Sequence, residues 1–437
     1  MSNKDKLSAK KRTFIIGGAF ATVFSGIFFK NGIERIMKHE ISDMAEQYSM
    51  LLNISLRRSK LPSSRLIIKN ASFTKNITQL ECENTEFINC DFNDEVVINV
   101  KSLHNVEFRD CKITNSKISS GVWKDVTFDN IHASGQFEVL GDEGSSNVLF
   151  KKCNFTGPAS SDEDNHENTF GAAGTFGTAE FIDCDIRYVG IEGPYGLIVK
   201  NSRLNKIKAI AQRKRGSLTL DNVEIKDYLN LTSGIFSNID IKNTRFEYLD
   251  LEKVRSDNFL MEDSSGHFFG KLMTTDEMVV RRCTFTAEGN PENISQHEDA
   301  GFSVIYSKIG LLTIESVKFS GRNGNLFIGG SVNILFNENE PKYGPPIEYT
   351  NFGRIIIKNT SLKNASLSFL KSEKLQIENC DFEDTDCSKS YIDNLEITNC
   401  TFSGKVDFSG TIIKIFSEAK NLRKPSLLMN RDVNQFL

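Results

Sequence analysis

The sequence predicts an all-β solenoid, a parallel stack of about sixteen coils over residues 66–415. Three observations carry this. A single pattern (apolar, any, apolar, any, Asx, small, any, apolar) recurs at intervals of mostly 18–22 residues. Its alternation has the period of a strand. The chain also holds 33 Phe against 9 Tyr and 1 Trp, a bias that points to one structural slot filled by Phe again and again. A fixed period near ~20 residues marks a solenoid, in which each coil buries its inner face on its neighbours.

Composition bounds the function. The 437 residues exceed what one compact core holds, so the chain is either several domains or an elongated repeat. With 25% charged and 39% hydrophobic residues, wholesale disorder and a polytopic membrane protein are excluded. A net charge of −4 gives no bulk drive towards nucleic acid, so no nucleic-acid partner is expected.

Residues 1–12 form a basic tail with Lys4, Lys6, Lys10, Lys11 and Arg12. Residues 13–29 carry no charge and as a helix would span about 26 Å, the short end of a transmembrane anchor. Ala19-Phe20-Ala21 offers a signal-peptidase site, but the chain stays apolar beyond it, which favours an uncleaved signal anchor. Gly17, Ala21 and Ser25 recur at every fourth position, spacing that suits self-association of helices in lipid. The tail is more basic than the flank with Lys30, Arg35 and Lys38. The expectation is therefore a single-pass protein of a bacterial inner membrane, its β-helix exported. Numerous unpaired cysteines suit the opposite, cytoplasmic-facing arrangement. Residues 30–65 are expected to form an amphipathic helix and a linker or cap: Met37, Ile41, Met44, Tyr48 and Leu51 step by 4, 3, 4 and 3.

The repeat reads TEFINCDF at 85–92, AEFIDCDI at 179–186, IIIKNTSL at 355–362 and LEITNCTF at 395–402. Its second apolar position falls at Ile68, Phe87, Phe108, Phe128, Phe150, Phe181, Val199, Leu220, Ile241, Met261, Val280, Ile314, Ile334, Ile357, Ile377 and Ile397. Two residues further on, Asn or Asp recurs, as at Asn70, Asn89, Asp110 and Asn379, a ladder able to hydrogen-bond along the stack. The next position collects seven of the nine cysteines: Cys90, Cys111, Cys153, Cys184, Cys283, Cys380 and Cys400. These read as packing residues. Stacked in register they are poorly aimed for disulfides, and no metal-ligand spacing accompanies them. Two residues later lies the Phe slot, as at Phe73, Phe92, Phe382 and Phe402.

Within several coils the period subdivides by five, as in Ile377, Phe382, Cys387, Ile392 and Ile397. In this the chain resembles the pentapeptide-repeat family. The resemblance covers about residues 66–415 and implies a right-handed parallel β-helix with four pentads per coil. The chain departs from the family in preferring Cys and Thr to Ala before the central residue. A pectate-lyase-like right-handed β-helix is the alternative. The gyrase-binding members of the family are soluble acidic DNA mimics, and that role does not carry over to a near-neutral chain with an anchor.

Three insertions interrupt the pattern, at 158–178, 288–302 and 337–352. Two share a context: KKCNFTG at 151–157 parallels RRCTFTA at 281–287, each followed by a His-Glu pair. In these coils Lys152 and Arg282 replace the ladder Asx. Lys152, His166, Glu167, Arg282, His297 and Glu298 are therefore the candidate binding residues; two solvated loops with a shared turn are the plainer reading. Pro341, Pro345 and Pro346 with Tyr343 and Tyr349 give the third insertion the look of a docking loop. The basic run Lys206, Lys208, Arg213, Lys214 and Arg215 reads as a solvated corner. Residues 416–437 leave the repeat and are expected to cap the last coil. No catalytic constellation is evident, and no cofactor or metal is expected. The expected function is a membrane-anchored scaffold or binding protein whose insertion loops contact another, membrane-associated protein. A carbohydrate-active β-helix enzyme and an anchored defence or toxin effector are the alternatives.

Overall fold

The computed structural model describes residues 13–17, 20–24 and 66–418, apart from 74–76, 93–95, 120, 142–145, 156–169, 175–176, 193–195, 211–215, 287–300, 321–325 and 331–348. The chain divides into two compact units, residues 1–208 and 209–437. Each is a stack of parallel strands, so the fold class is an all-β parallel solenoid.

In the first unit the predicted apolar positions pair one above the next: Ile68 with Phe87, then Phe108, Phe128, Phe150, Phe181 and Val199. Five of these are Phe, and their rings stack at 4.7–4.9 Å with interplanar angles of 5–8°. One slot repeated in register accounts for the Phe bias, since stacked rings at the strand spacing fill the core without voids. In the second unit Leu220, Ile241, Met261, Val280, Ile314, Ile357, Ile377 and Ile397 pair in the same way. Ile314 pairs directly with Ile357, so no separate rung falls between them. Ile334, assigned one from spacing, lies outside the described residues.

The Asx position is a corner of the coil. At all fifteen paired rungs the residue two beyond the apolar position has φ between 49° and 56°, from Asn70 to Asn399. Asn and Asp tolerate this left-handed conformation best among residues with a side chain. Its N–H donates to the next coil, as from Asn89 to Arg109 O at 2.9 Å. Side-chain ladders also form, with Asn89 Nδ2 donating to Asn70 Oδ1 at 2.6 Å and Asn130 Nδ2 to Asp110 Oδ1 at 2.6 Å.

The following slot is buried and mostly holds a donor. Cys111, Cys153, Cys184, Cys283, Cys380 and Cys400 each point Sγ at the carbonyl two residues back, at 3.3–3.4 Å. Ser202, Thr244, Ser264 and Thr360 do the same with a hydroxyl at 2.7–2.8 Å. The preference for Cys, Ser and Thr over Ala follows: a small side chain must fit the corner, and a carbonyl there accepts a hydrogen bond. All nine cysteines are free and buried.

In the C-terminal coils buried residues alternate by two and three: Leu375, Ile377, Cys380, Phe382, Thr385, Cys387, Ser390, Ile392, Leu395 and Ile397. Left-handed residues there recur every five positions, at Asn359, Asn364 and Phe369 and again at Asn379, Asp384 and Lys389.

The described residues of the N-terminal segment are strands. Thr13–Gly17 and Phe20–Phe24 pair as antiparallel strands, Thr13 opposite Phe24. Eight of these ten residues are β-branched or aromatic, types that favour extended backbone. Among the described residues no helix is long and apolar enough to cross a membrane. The predicted amphipathic helix, and the cap predicted at 416–437 beyond Glu418, lie outside the described residues.

Candidate functional site

Of the predicted site residues, Lys152 and Arg282 are described. Lys152 and Arg282 belong to different units, and His166, Glu167, His297 and Glu298 lie outside the described residues. Lys152 and Arg282 both occupy the left-handed corner, each with φ 53°, and donate N–H to Ile182 O and Glu315 O at 2.9 Å. Lys152 is exposed. Arg282 is occupied: Nε and Nη2 lie 2.9 and 3.0 Å from the two carboxylate oxygens of Asp263, and Nη2 also meets Glu262. The base replacing the ladder Asx thus clamps the acid one coil before it. Among the described residues no His, Cys, Asp and Glu side chains cluster as a metal site would require.

A different feature forms a concave surface. In the second unit the gap between the inward slot and the next paired aromatic position shrinks from two residues to one to none over three successive coils. Two residues, Lys226 and Asp227, separate Ile225 from Tyr228. Only Glu247 separates Phe246 from Tyr248, and nothing separates Gly266 from His267. The ladder absorbs the difference by shifting register at Ile225/Tyr228 and at Arg245/Tyr248. Such bulges re-aim side chains and bend the strand.

The result is a stepped groove of about 780 Å³ whose lining includes Gly266. Gly266 has φ 151°, and a Cβ there would fall 2.1 Å from Phe246 O. The Phe246 ring fills the space an inward side chain would take in that coil. Tyr228 and Tyr248 stack in parallel at 5.2 Å, and His267 meets Tyr248 edge-on at 4.8 Å. Tyr228 Oη donates to Asp250 Oδ2 at 2.7 Å. Burial, then this hydrogen bond to a carboxylate, pushes the phenol well above its ordinary range. Glu224, Asp227, Glu247, Lys226 and Arg245 supply charges of both signs to the lining. Thr286, the last described residue before the 288–302 insertion, also lines the groove.

Sequence reasoning missed this groove, though a signal was present. The rungs at Leu220, Ile241, Met261 and Val280 are 21, 20 and 19 residues apart, a contraction of one residue per coil.

Comparison of the chain with known protein families, with curated proteins and with solved structures finds no match in any of the three.

Proposed function

We propose that this chain is a membrane-anchored β-helix that acts as a binding or scaffold protein, with the stepped groove of the second unit as its contact site. The observation that carries the reading is the contraction over Ile225–Tyr228, Phe246–Tyr248 and Gly266–His267, which gives a regular stack one concave, charged and aromatic place. Tyr248 and His267, flanked by charges of both signs, suit a polar partner surface. In this reading residues 13–29 are the anchor, an uncharged run behind a basic tail that spans lipid as a helix in place of the Thr13–Gly17 and Phe20–Phe24 strand pair. The finer fold, a right-handed pentapeptide-repeat β-helix, is supported by the two-and-three burial alternation and the five-residue recurrence of left-handed corners in the C-terminal coils. Right-handed crossover is also the rule for parallel strands.

A crosslinked pull-down from native membranes tests the reading. The full chain is expected to retain a partner that Arg245→Glu with Glu247→Lys, both exposed, loses, with thermal stability unchanged. Equal capture by both chains moves the working surface away from the groove. A carbohydrate-active enzyme remains a second reading because Glu224, Asp227 and Glu247 share the groove with Arg245. Release of reducing sugar from a panel of polysaccharides, abolished by Glu247→Gln, would establish it over the scaffold reading.

A further inference from the structure

A second corner of the second unit breaks the preference for Asn. Its N–H groups donate coil to coil from Ser233, Lys253, Leu272, Tyr306, Gly330, Phe369 and Lys389, which places these residues in one row along the stack. Ser233, Lys253, Leu272, Tyr306, Phe369 and Lys389 all have φ between 51° and 60°. Leu, Tyr and Phe are poor residues for that conformation, and bulky side chains held there mark a constraint beyond packing. None of the three is buried; Leu272 is 38% exposed. Lys389 Nζ lies 5.1 Å over the Phe369 ring.

Two positions further along each coil runs a second outward row, paired in register: Arg255, Thr274, Lys308, Asn351, Lys371, Tyr391 and Ile412. Ile412 is 58% exposed. Neither row contains a carboxylate, in a chain whose net charge is −4. Between them they carry Lys253, Arg255, Lys308, Lys371 and Lys389 together with Leu272, Tyr306, Phe369, Tyr391 and Ile412. Acids border the stripe, with Glu252 beside Lys253, and Asp257, Asp276, Glu373 and Asp393 beyond the second row. From Lys253 to Lys389 the corner row covers five steps, about 24 Å at the strand spacing.

We propose that this stripe lies on an anionic membrane surface, a contact separate from the anchor segment. Lysines with long apolar stems beside exposed Leu272 and Ile412 and half-buried Tyr306, Phe369 and Tyr391 match the headgroup boundary, where the stems and apolar side chains enter the interface and the ammonium groups meet lipid phosphate. A straight double row suits a plane better than it suits a pocket. Charge complementarity selects anionic lipid over neutral lipid, because the rows hold cations and no acid.

The test uses the full chain with Thr274→Cys carrying an environment-sensitive fluorophore; the nine native cysteines are buried and do not compete for label. The chain is incubated with phosphatidylcholine vesicles with and without phosphatidylglycerol, and sedimentation is read alongside emission. The expected result is a blue shift, with quenching by brominated lipid, only where phosphatidylglycerol is present. Lys308→Glu with Lys371→Glu should abolish it, and raised salt should weaken the response by about fivefold for each cation screened. A label at Asn243→Cys, on another corner, should stay silent. Sedimentation with a silent label at 274 overturns the stripe and leaves the anchor standing. A label that shifts on phosphatidylglycerol vesicles while sedimentation with pure phosphatidylcholine fails supports the stripe and removes the anchor. A shift produced by soluble polyglutamate and not by vesicles overturns the lipid assignment in favour of an acidic protein partner.

Discussion

Arg282 grips Asp263 across adjacent coils, Nε and Nη2 to the two carboxylate oxygens at 2.9 and 3.0 Å, from a backbone position with φ 53°. Twelve of the fifteen paired corners hold Asn or Asp, and the rest hold Lys152, Arg282 and Ser316. A left-handed conformation costs a residue such as Lys about 1 kcal/mol, and Gly adopts it freely. Lys152→Gly should therefore raise stability by up to about 1 kcal/mol in thermal melts. Arg282→Gly should gain less, because it also forfeits the Asp263 clamp. That exposed pair contributes at most about 1 kcal/mol.

The corner slot predicts an order of substitutions. Cys380 Sγ points at Glu378 O at 3.3 Å, and Thr360, one coil earlier, fills the same position with a hydroxyl 2.8 Å from Lys358 O. Cys380→Thr should be close to neutral. Cys380→Ala should lose about 1–2 kcal/mol, from the missing donor and the small void. Chemical denaturation of the two variants checks the order, and equal losses would make size alone the constraint.

Alkaline stability follows from the buried thiols. Burial pushes Cys283 from its ordinary 9.0 up to about 11. The folded state therefore holds this proton more tightly than the unfolded chain. Its contribution is fully present below pH 9 and is lost as pH rises from 9 through about 11. Stability against urea should be flat with respect to this group up to pH 8 and fall above pH 9. Cys283→Ser should flatten part of that fall.

Gly266 should tolerate no side chain. A Cβ would meet Phe246 O at 2.1 Å with φ at 151°. Gly266→Ala should cost about 3 kcal/mol and perturb the groove, as read by circular dichroism melts. Phe246→Ala in the same chain relieves the ring but not the carbonyl, so it should rescue little.

The core slots were legible because each is written at every rung. Ile68, Phe87 and Phe108 announce one position, and Cys90 and Cys111 the next, so misreading one coil leaves the pattern standing. The single lost coil, at Ile334, rested on spacing alone. The groove was harder to see because it arises from missing residues: Lys226 and Asp227 have one counterpart in Glu247 and none beside Gly266. In sequence that reads as jitter in the repeat. The second corner was illegible for another reason, since Leu272, Tyr306 and Phe369 are not residues from which left-handed backbone is inferred. The pairing of Arg282 with Asp263 was not legible, because charge at a corner was read without its neighbour one coil before it.

Hydrogen bonds that reach one coil back also set an order of assembly. Asn89 meets Asn70 across 19 residues and Asn379 meets Asn359 across 20, so a chain leaving the ribosome can close each coil soon after its last residue emerges. Closure has to wait longer at the insertions. Cys184 reaches Phe150 across 34 residues, and Val317 reaches Thr360 across 43. At those points the growing stack ends in an unpaired edge for the time it takes to synthesise the intervening segment. The insertions therefore act as built-in pauses in folding, and the coils just before them, ending at Phe150 and Ile314, are where a nascent chain stands most open to a chaperone or to a wrong strand.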